Sequence, residues 1–377
     1  MKKVVIAVDS FKGSLSSCEV ADAFEQGFRP HHPECVIRKV PIADGGEGTL
    51  EALIESRGGD YIEASVCDPL LRPIKARYGI IDGTTAIIEM ARASGLPLLK
   101  EVERNPLVTT SFGTGEMVAD AVRRGCRRIL LGIGGSATTD AGVGMLQALG
   151  FRFLDHEGLE IKGGGEILER IATIDDSNVS HEVRECEFVV ACDVTNPLYG
   201  TNGAAYIFAP QKGADAKMVE QLDRGLRNFA LAVERYNGAK IGDMEGAGAA
   251  GGMGGGIKAL LNGELVRGID MILDAMHFAD IIEGANLVVT GEGRIDYQTL
   301  LGKAPSGVLA EATKQGIPTI AIGGSVEWCD SLRTSHFHSI EAVMPEGVAL
   351  AEAMRPEVAK ANIIRVAGEI AQRFSEK

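Results

Sequence analysis

A glycine-rich run between an apolar strand-like segment, residues 128–131, and a helix-like segment constrains this chain more than any other feature. Glycines allow the backbone to turn with positive φ and to approach a ligand closely, and unpaired amides at a helix start attract anions. The junction therefore predicts an α/β protein with a site for phosphate or carboxylate oxygens. The run reads Gly132-Ile133-Gly134-Gly135-Ser136-Ala137-Thr138-Thr139-Asp140-Ala141-Gly142-Val143-Gly144.

The polar side chains of this run restrict which ligands and reactions the site could serve. Ser136, Thr138 and Thr139 add hydroxyl donors, whereas the carboxylate of Asp140 would repel a bare phosphate. An acid beside a phosphate site needs a cation between them or a hydroxyl to accept from, and phosphoryl transfer with a divalent metal supplies both. The run is neither a Walker A loop nor a dinucleotide fingerprint. A strand-to-helix turn that uses small residues for packing alone remains an alternative.

The composition is that of an ordinary globular protein. A length of 377 residues suits two or three domains, and 45% of the residues are hydrophobic and 24% charged. No apolar stretch approaches the roughly 20 residues that span a bilayer. The apolar segment after Met1 is too short for a secretory signal core. We therefore expect a cytoplasmic protein.

Charge and cysteine content exclude several classes of partner. A net charge of -14 argues against nucleic acid and anionic membrane surfaces. An anionic substrate would then need local Lys, Arg, amide dipoles or a metal to invert the field at its site. The seven cysteines are scattered and never spaced as Cys-x-x-Cys, so reduced thiols are expected rather than a disulfide framework or a zinc site.

Strand, loop and helix patterns alternate at both ends of the chain. The first units start with strand patterns at residues 3–8 and 35–41, and the same rhythm returns after Asp280. Such alternation implies right-handed crossovers and a parallel sheet with ligands at the carboxyl ends of its strands. From about Cys67 the alternation of strand and helix patterns stops. A hairpin is expected around Asp82-Gly83. We predict one α/β domain from residues 1–66 and 281–377, with residues 67–280 inserted as a second, mixed α/β domain.

Five loops combine small residues with acids, and four of them carry a resemblance to a known family. These four, in order along essentially the whole chain, resemble the bacterial glycerate kinases of class I. The loops that carry the resemblance are Asp9-Ser10-Phe11-Lys12, Ala43-Asp44-Gly45-Gly46-Glu47-Gly48-Thr49, Gly134-Gly135-Ser136-Ala137-Thr138-Thr139-Asp140 with Gly142, and Thr290-Gly291-Glu292-Gly293 to Asp296; the fifth is Cys192-Asp193.

The resemblance implies a kinase that phosphorylates D-glycerate with ATP and Mg²⁺ and gives 2-phosphoglycerate. It also implies a flavodoxin-like domain and an inserted domain, with the active site between them. The chemistry agrees, because the site must hold a small carboxylate, direct one hydroxyl at the γ-phosphate and neutralise the transferring oxygens. The expected partners are these small molecules, and a homodimer is left open.

Residue types and the resemblance together suggest roles. We expect Asp193, Asp44 and Lys12 to be catalytic, and Asp140 and Asp193 to bind metal. Substrate-binding candidates are Asp9, Ser10, Gly45, Gly46, Arg294 and Asp296. ATP-binding candidates are Gly134, Gly135, Ser136, Ala137, Thr138, Thr139, Gly291, Glu292, Gly293 and Lys303.

Each candidate has a structural alternative. Asp9 could be a helix cap, Lys12 a solvated lysine and Asp193 an Asx turn. Arg294 and Lys303 could be surface ion-pair residues. For the whole chain, the alternatives are a kinase for another short hydroxy acid, such as tartronate or a longer aldonate, and a sensor that binds nucleotide or a small acid without turnover.

Overall fold

The computed structural model describes residues 1–43, 45–46 and 48–375. The strands are β1 (Lys3–Val8), β2 (Val36–Pro41), β3 (Asp60–Cys67), β4 (Pro73–Ile81), β5 (Thr85–Glu89), β6 (Arg128–Gly132), β7 (Arg152–Leu154), β8 (Thr173–Asp175), β9 (Glu187–Ala191), β10 (Glu264–Val266), β11 (Leu287–Ile295), β12 (Thr319–Val326) and β13 (Ser339–Ala342).

The α-helices are α1 (Ser17–Phe28), α2 (Thr49–Arg57), α3 (Ala91–Ser94), α4 (Phe112–Arg123), α5 (Val143–Ala148), α6 (His181–Arg184), α7 (Ala204–Phe208), α8 (Ala216–Asn237), α9 (Ala249–Leu260), α10 (Gly268–Ala275), α11 (Phe278–Ile282), α12 (Ala304–Lys314), α13 (Asp330–Arg333), α14 (Leu350–Ala353) and α15 (Pro356–Ser375). Short 3₁₀ helices span Arg29–His31, Leu96–Leu98, Glu101–Glu103, Gly165–Arg170, Pro210–Lys212 and Tyr297–Leu301.

The chain divides into two units. Unit 1 consists of Met1–Asp44, Glu51–Ser56 and Ile272–Lys377, and unit 2 consists of Gly45–Leu50 and Arg57–Met271.

Unit 1 contains a five-stranded sheet in the order β13-β12-β11-β1-β2, with every neighbouring pair parallel. Counted along the chain within this unit, the strand order is 2-1-3-4-5, which is the flavodoxin-like order. The parallel-sheet prediction for the two chain ends is therefore confirmed. In such a sheet the ligand lies where the strand order reverses, here between β1 and β11.

Local signals explain why β1 and α1 form. Residues 4–8 of β1 are fully buried, as expected for a central parallel strand with both faces covered. Helix α1 begins with a capping box between Ser16 and Glu19. Its buried Val20, Phe24 and Phe28 share one face at helical spacing, and this face packs in the core of unit 1.

Unit 2 contains a six-stranded mixed sheet in the order β10-β9-β6-β5-β4-β3. Strands β5, β6, β9 and β10 are parallel, whereas β3, β4 and β5 pair antiparallel. The β4–β5 hairpin turns at Asp82-Gly83, both with positive φ, as the sequence predicts. Strand β3 belongs to this sheet, so the second unit takes over before the expected residue 66. Cys67 marks the end of β3 rather than the beginning of the inserted unit.

Helices long and apolar enough to cross a membrane are absent from the described part of the chain.

Candidate functional site

Unit 1 contains a cavity of about 710 Å³ at the carboxyl ends of its strands. The carboxyl ends of β11 and β12 and the segments that follow β1, β11, β12 and β13 supply most of its lining. This is the position that the strand order predicts, because β1 and β11 flank the point of reversal. Eight of the expected site residues line it together: Asp9, Ser10, Lys12, Glu292, Gly293, Arg294, Asp296 and Lys303.

The loop after β1 presents Ser10 and Lys12 at the end of a tight turn. Phe11 and Leu15 exchange backbone hydrogen bonds across it, and Gly13 adopts a φ of 79°. Asp9 is buried at the base of the loop, and its Oδ1 accepts a hydrogen bond from the backbone N–H of Ser10 at 2.6 Å. The turn therefore fixes an acid while it leaves the Lys12 side chain exposed at the cavity.

Glu292 is a largely buried acid of the cavity, with 12% of its side chain exposed. Its Oε1 accepts a hydrogen bond from Thr299 Oγ1 at 2.7 Å, and Lys303 Nζ lies 3.6 Å from its Oε2. Burial raises the pKa of Glu292, against the opposing effects of Thr299 and Lys303. Glu292 is thus paired with Lys303, the residue that precedes α12.

Arg294 and Asp296 have partners of their own. Arg294 forms an ion pair with Glu327 and lies 3.5 Å from the carboxylate of Asp296. Asp296 Oδ1 accepts a hydrogen bond from the backbone N–H of Gln298 at 2.9 Å and caps the following 3₁₀ helix. Arg294 is therefore an ion-pair residue, which is the structural alternative that the sequence left open. Asp296 is the N-cap of the 3₁₀ helix.

An apolar wall completes the cavity, and no sequence pattern predicts it. Its members include Phe11 after β1, Val326 at the end of β12, and Met344, Leu350 and Met354 after β13, so they come from three separate parts of the chain. No local pattern marks them as neighbours. The cavity therefore combines a charged half at the ends of β1 and β11 with an apolar half.

In unit 2, the glycine-rich loop from Gly134 to Asp140 is tied to its surroundings through its carbonyl and amide groups. Gly135 O accepts from Leu96 N at 2.9 Å, and Ala137 N donates to Ser94 O at 2.9 Å. Thr109 Oγ1 donates to Ala137 O at 2.8 Å. These bonds from separate segments fix the loop before any ligand binds.

The same loop leaves donors unused. Among the described residues, no acceptor is found for the backbone N–H groups of Gly134, Gly135, Ser136, Thr138 and Thr139. The hydroxyls of Thr138 and Thr139 are fully buried and also lack a partner there. Gly134 and Gly135 are exposed, whereas Ser136, Thr138 and Thr139 are buried. Buried donors without acceptors are costly, so an anion that accepts from the donors of these three residues would be stabilised.

These donors come from the loop rather than from a helix end. Helix α5 begins only after Gly142, which has a φ of 75°, and is six residues long. The sequence-based expectation of a helix start that opens directly onto the anion site is therefore wrong. The turn at Gly142 separates the helix from the loop.

Asp140 has a different role from the expected metal ligand. It is fully buried, and its Oδ2 accepts from Ser111 N at 2.8 Å, Ser111 Oγ at 2.7 Å and Gly144 N at 3.2 Å. Its Oδ1 accepts from Gly142 N at 3.2 Å. Four protein donors occupy the carboxylate, and this geometry argues against a metal ion at Asp140. The side chain instead holds the loop to the start of α4.

Gly45, Gly46 and Asp193 lie near the same edge of the unit 2 sheet. A Cβ at Gly45, where φ is 91°, would lie 2.5 Å from Gly268 Cα, so only glycine fits. A Cβ at Gly134 would lie 3.9 Å from Gly46 Cα. Asp193 is exposed, and its Oδ1 accepts from Gly268 N at 2.9 Å. The expected catalytic Asp44, with Glu47 of the same motif, lies outside the described residues.

No group of three or more His, Cys, Asp or Glu side chains in residues 1–43, 45–46 and 48–375 is arranged to hold a metal ion alone. The seven cysteines are free thiols, as expected.

Taken together, a flavodoxin-like unit with an acid-and-cation cavity and a second unit with an amide-lined loop define an α/β enzyme for anionic substrates. The chain belongs to the glycerate kinase family, whose family model matches residues 4–375. This family assignment confirms the resemblance and the prediction of a phosphotransferase with an alcohol group as acceptor.

Individual relatives agree over nearly full length. The chain is 46% identical over 371 residues to a glycerate kinase of Bacillus subtilis (strain 168). The aligned residues make up 98% of this chain and 97% of the relative. It is 48% identical over 342 residues to a glycerate 2-kinase of Escherichia coli (strain K12), with 90% and 89% covered. A crystal structure described as glycerate kinase 2 from Salmonella typhimurium LT2 matches with a TM-score of 0.90 and 43% identity, over 100% of this chain and 98% of the other.

Proposed function

We propose that this protein transfers the γ-phosphate of ATP to a hydroxyl of D-glycerate in the presence of Mg²⁺ and gives 2-phosphoglycerate. The names of its relatives support the substrate, and one of them is a glycerate 2-kinase. The observation that carries the proposal is the unit 1 cavity, where acids and lysines at two strand ends face an apolar wall. A nucleotide triphosphate has this combination of an apolar base and an anionic tail.

The size of the cavity favours ATP over glycerate as its ligand. A volume of about 710 Å³ lies within the range of cofactor sites and far exceeds a three-carbon acid. Some expected substrate residues, such as Ser10, and some expected ATP residues, such as Lys303, line this one cavity. We therefore assign them to one ligand, with the base against Val326, Leu350 and Met354.

Lys12 and Lys303 supply the cations for the phosphate groups. Mg²⁺ binds proteins through one or two carboxylates together with substrate phosphates, so the absence of a larger acidic cluster is consistent with its use. Asp9 and Glu292 are the acids that would hold it. When bound, Mg²⁺ neutralises charge on the transferring phosphate.

We assign D-glycerate to unit 2, a change from the ATP role expected for Gly134 to Thr139. The loop offers amides and hydroxyls in a setting of small residues, which suits a compact carboxylate. Asp193, exposed at the neighbouring strand end, would accept the proton of the reacting hydroxyl. Asp44 keeps its expected catalytic role as a proposal.

A substitution that fills the apolar half of the unit 1 cavity tests this assignment. Ala353 lines that cavity, and Ala353→Trp should raise KM for ATP by about tenfold or more while KM for D-glycerate changes little. Ala349→Trp, at an exposed alanine of the same segment, is the matched control. An unchanged KM for ATP in Ala353→Trp would remove ATP from this cavity.

Product analysis tests the reaction itself. Phosphorus NMR of the reaction of purified protein, ATP, Mg²⁺ and D-glycerate should show ADP and 2-phosphoglycerate. Binding without ADP release would indicate a sensor, and faster turnover with tartronate would indicate another hydroxy acid. Omission of Mg²⁺ should abolish turnover. A cytoplasmic location and a homodimer also remain proposals, and fractionation and light scattering test them.

A further inference from the structure

Lys212 is buried in unit 2 and makes two hydrogen bonds to the glycine-rich loop. It ends the 3₁₀ helix Pro210–Lys212, and only 1% of its surface is exposed. Its Nζ donates to Ser136 Oγ at 2.8 Å and to Thr138 O at 2.5 Å. No other lysine among the described residues is buried to this degree.

The backbone around Lys212 is built to hold the side chain in this place. Lys212 N donates to Ala209 O at 2.9 Å, and Gly213 follows with a φ of 96°. A Cβ at Gly213 would lie 2.2 Å from Arg104 O, so no other residue fits there. The turn therefore fixes the Cα of Lys212 and sends its side chain under the loop.

Burial of an ammonium group costs free energy, so its presence here needs an explanation. Burial lowers the pKa of Lys212 to about 7, and the charge of Asp140 opposes this shift. A hydrophobic residue of similar length would fill the same space without that cost. The two bonds from Nζ are therefore the specific consequence of having lysine at this position.

The hydrogen bond from Lys212 determines whether the Ser136 hydroxyl acts as a donor or as an acceptor toward a ligand. Ser136 Oγ accepts from Lys212 Nζ, so its own proton points elsewhere. No acceptor for that proton is found among the described residues. The serine is thereby kept as a donor, beside loop amides that also lack acceptors.

We propose that Lys212 is a positioning residue for substrate binding, which orients the Ser136 hydroxyl as a donor to the carboxylate of D-glycerate and fixes the carbonyl of Thr138. Because Lys212 is buried, it acts through Ser136 and does not touch the ligand. This inference rests on the proposed function, since it adopts D-glycerate as the ligand of the loop.

A double-mutant cycle tests the proposal. Binding of D-glycerate is measured by titration calorimetry without ATP for the wild type, Ser136→Ala, Lys212→Met and the double variant. Each single substitution should weaken binding about tenfold, which is the effect of one charge-assisted or substrate hydrogen bond. The double variant should be within about threefold of the weaker single variant, because both remove the same interaction.

Several results would overturn the proposal. These are a multiplicative loss of about a hundredfold in the double variant, wild-type affinity in Lys212→Met, or no binding of D-glycerate to the wild type. Wild-type protein that binds D-glycerate but releases no ADP would instead refute the kinase activity and leave the cycle valid.

Folding is checked separately by thermal unfolding. If Lys212→Met does not fold, Lys212→Gln replaces it in the cycle, because glutamine keeps N–H donors without the buried charge. Lys212→Gln should weaken binding of D-glycerate less than Ser136→Ala does, and Ser136→Ala combined with Lys212→Gln should bind within about threefold of Ser136→Ala, because Lys212 acts through the serine hydroxyl. Independent, multiplicative effects of the two changes would refute it.

Discussion

Ser111 Oγ donates a hydrogen bond to Asp140 Oδ2 at 2.7 Å, and both groups are fully buried. The same hydroxyl accepts from Met145 N at 3.0 Å. Ser111 thus joins the loop acid to the first turn of α5. The carboxylate is consequently part of the scaffold that shapes the anion site, rather than a group that waits for a ligand.

Asp140→Ala should destabilise unit 2 strongly. The substitution leaves Ser111 N, Gly142 N and Gly144 N buried without their acceptor, and each such group costs about 1–3 kcal/mol. We expect a loss of about 3–5 kcal/mol in the free energy of unfolding, measured in urea. Ser111→Ala, which removes one donor to Asp140 and leaves Met145 N without its acceptor, should cost about 1–3 kcal/mol. A loss of activity with unchanged stability in Asp140→Ala would instead support the metal role.

The sequence could not reveal this role. It placed Asp140 correctly in a loop of glycines and hydroxyl residues, because that pattern is local. Its partner Ser111 lies 29 residues earlier, at the start of α4, and no spacing rule links the two positions. An acid near candidate phosphate donors therefore suggested a metal, although its hydrogen bonds were already taken.

Asp193→Asn should lower kcat by about 10² or more with little change in stability. A positioned base typically contributes 10²–10⁴-fold, and asparagine still accepts the hydrogen bond from Gly268 N. Steady-state kinetics and thermal unfolding separate these effects. Asp82→Asn, at the exposed turn of the β4–β5 hairpin, is the control. A lower melting temperature with normal turnover would identify Asp193 as a structural Asx turn.

Lys303→Met should raise KM for ATP by about tenfold or more, because it removes a cation from the cavity without much change in volume. KM for D-glycerate should stay near the wild-type value. Lys314→Met, at the exposed carboxyl end of the same helix, should leave both constants unchanged. Equal rises in both constants for Lys303→Met would contradict a specific ATP contact.

The fold was more accessible from the sequence than the site was. Residues 4–8 form a continuous apolar run, which predicts a parallel strand buried on both faces. The position of acids such as Asp9 at the carboxyl end of a strand could then be predicted as well. Lys212 escaped notice because a single lysine in a polar segment looks solvated, and its partner Ser136 is 76 residues away. The apolar wall around Met354 was missed because it forms only when distant loops fold together.

Glu292→Gln should separate stability from function. Burial raises the pKa of Glu292 above its ordinary 4.5, so between these two values the folded chain binds more protons than the unfolded chain. Stability should therefore fall as pH rises through this window, and the penalty is fully present above it. Glutamine has no charge to desolvate and can still accept the hydrogen bond from Thr299.

We expect Glu292→Gln to be more stable than the wild type at pH 7 and to lose this advantage below pH 4.5, measured by urea unfolding at both values. Its kcat should fall by about tenfold or more if the carboxylate serves the ATP complex. Glu346→Gln, at an exposed glutamate of unit 1, should change neither quantity. A pH-independent stability difference would show that the charge of Glu292 is well solvated, and full activity would remove Glu292 from the site. Gain of stability together with loss of turnover is the result expected of an acid kept buried for function.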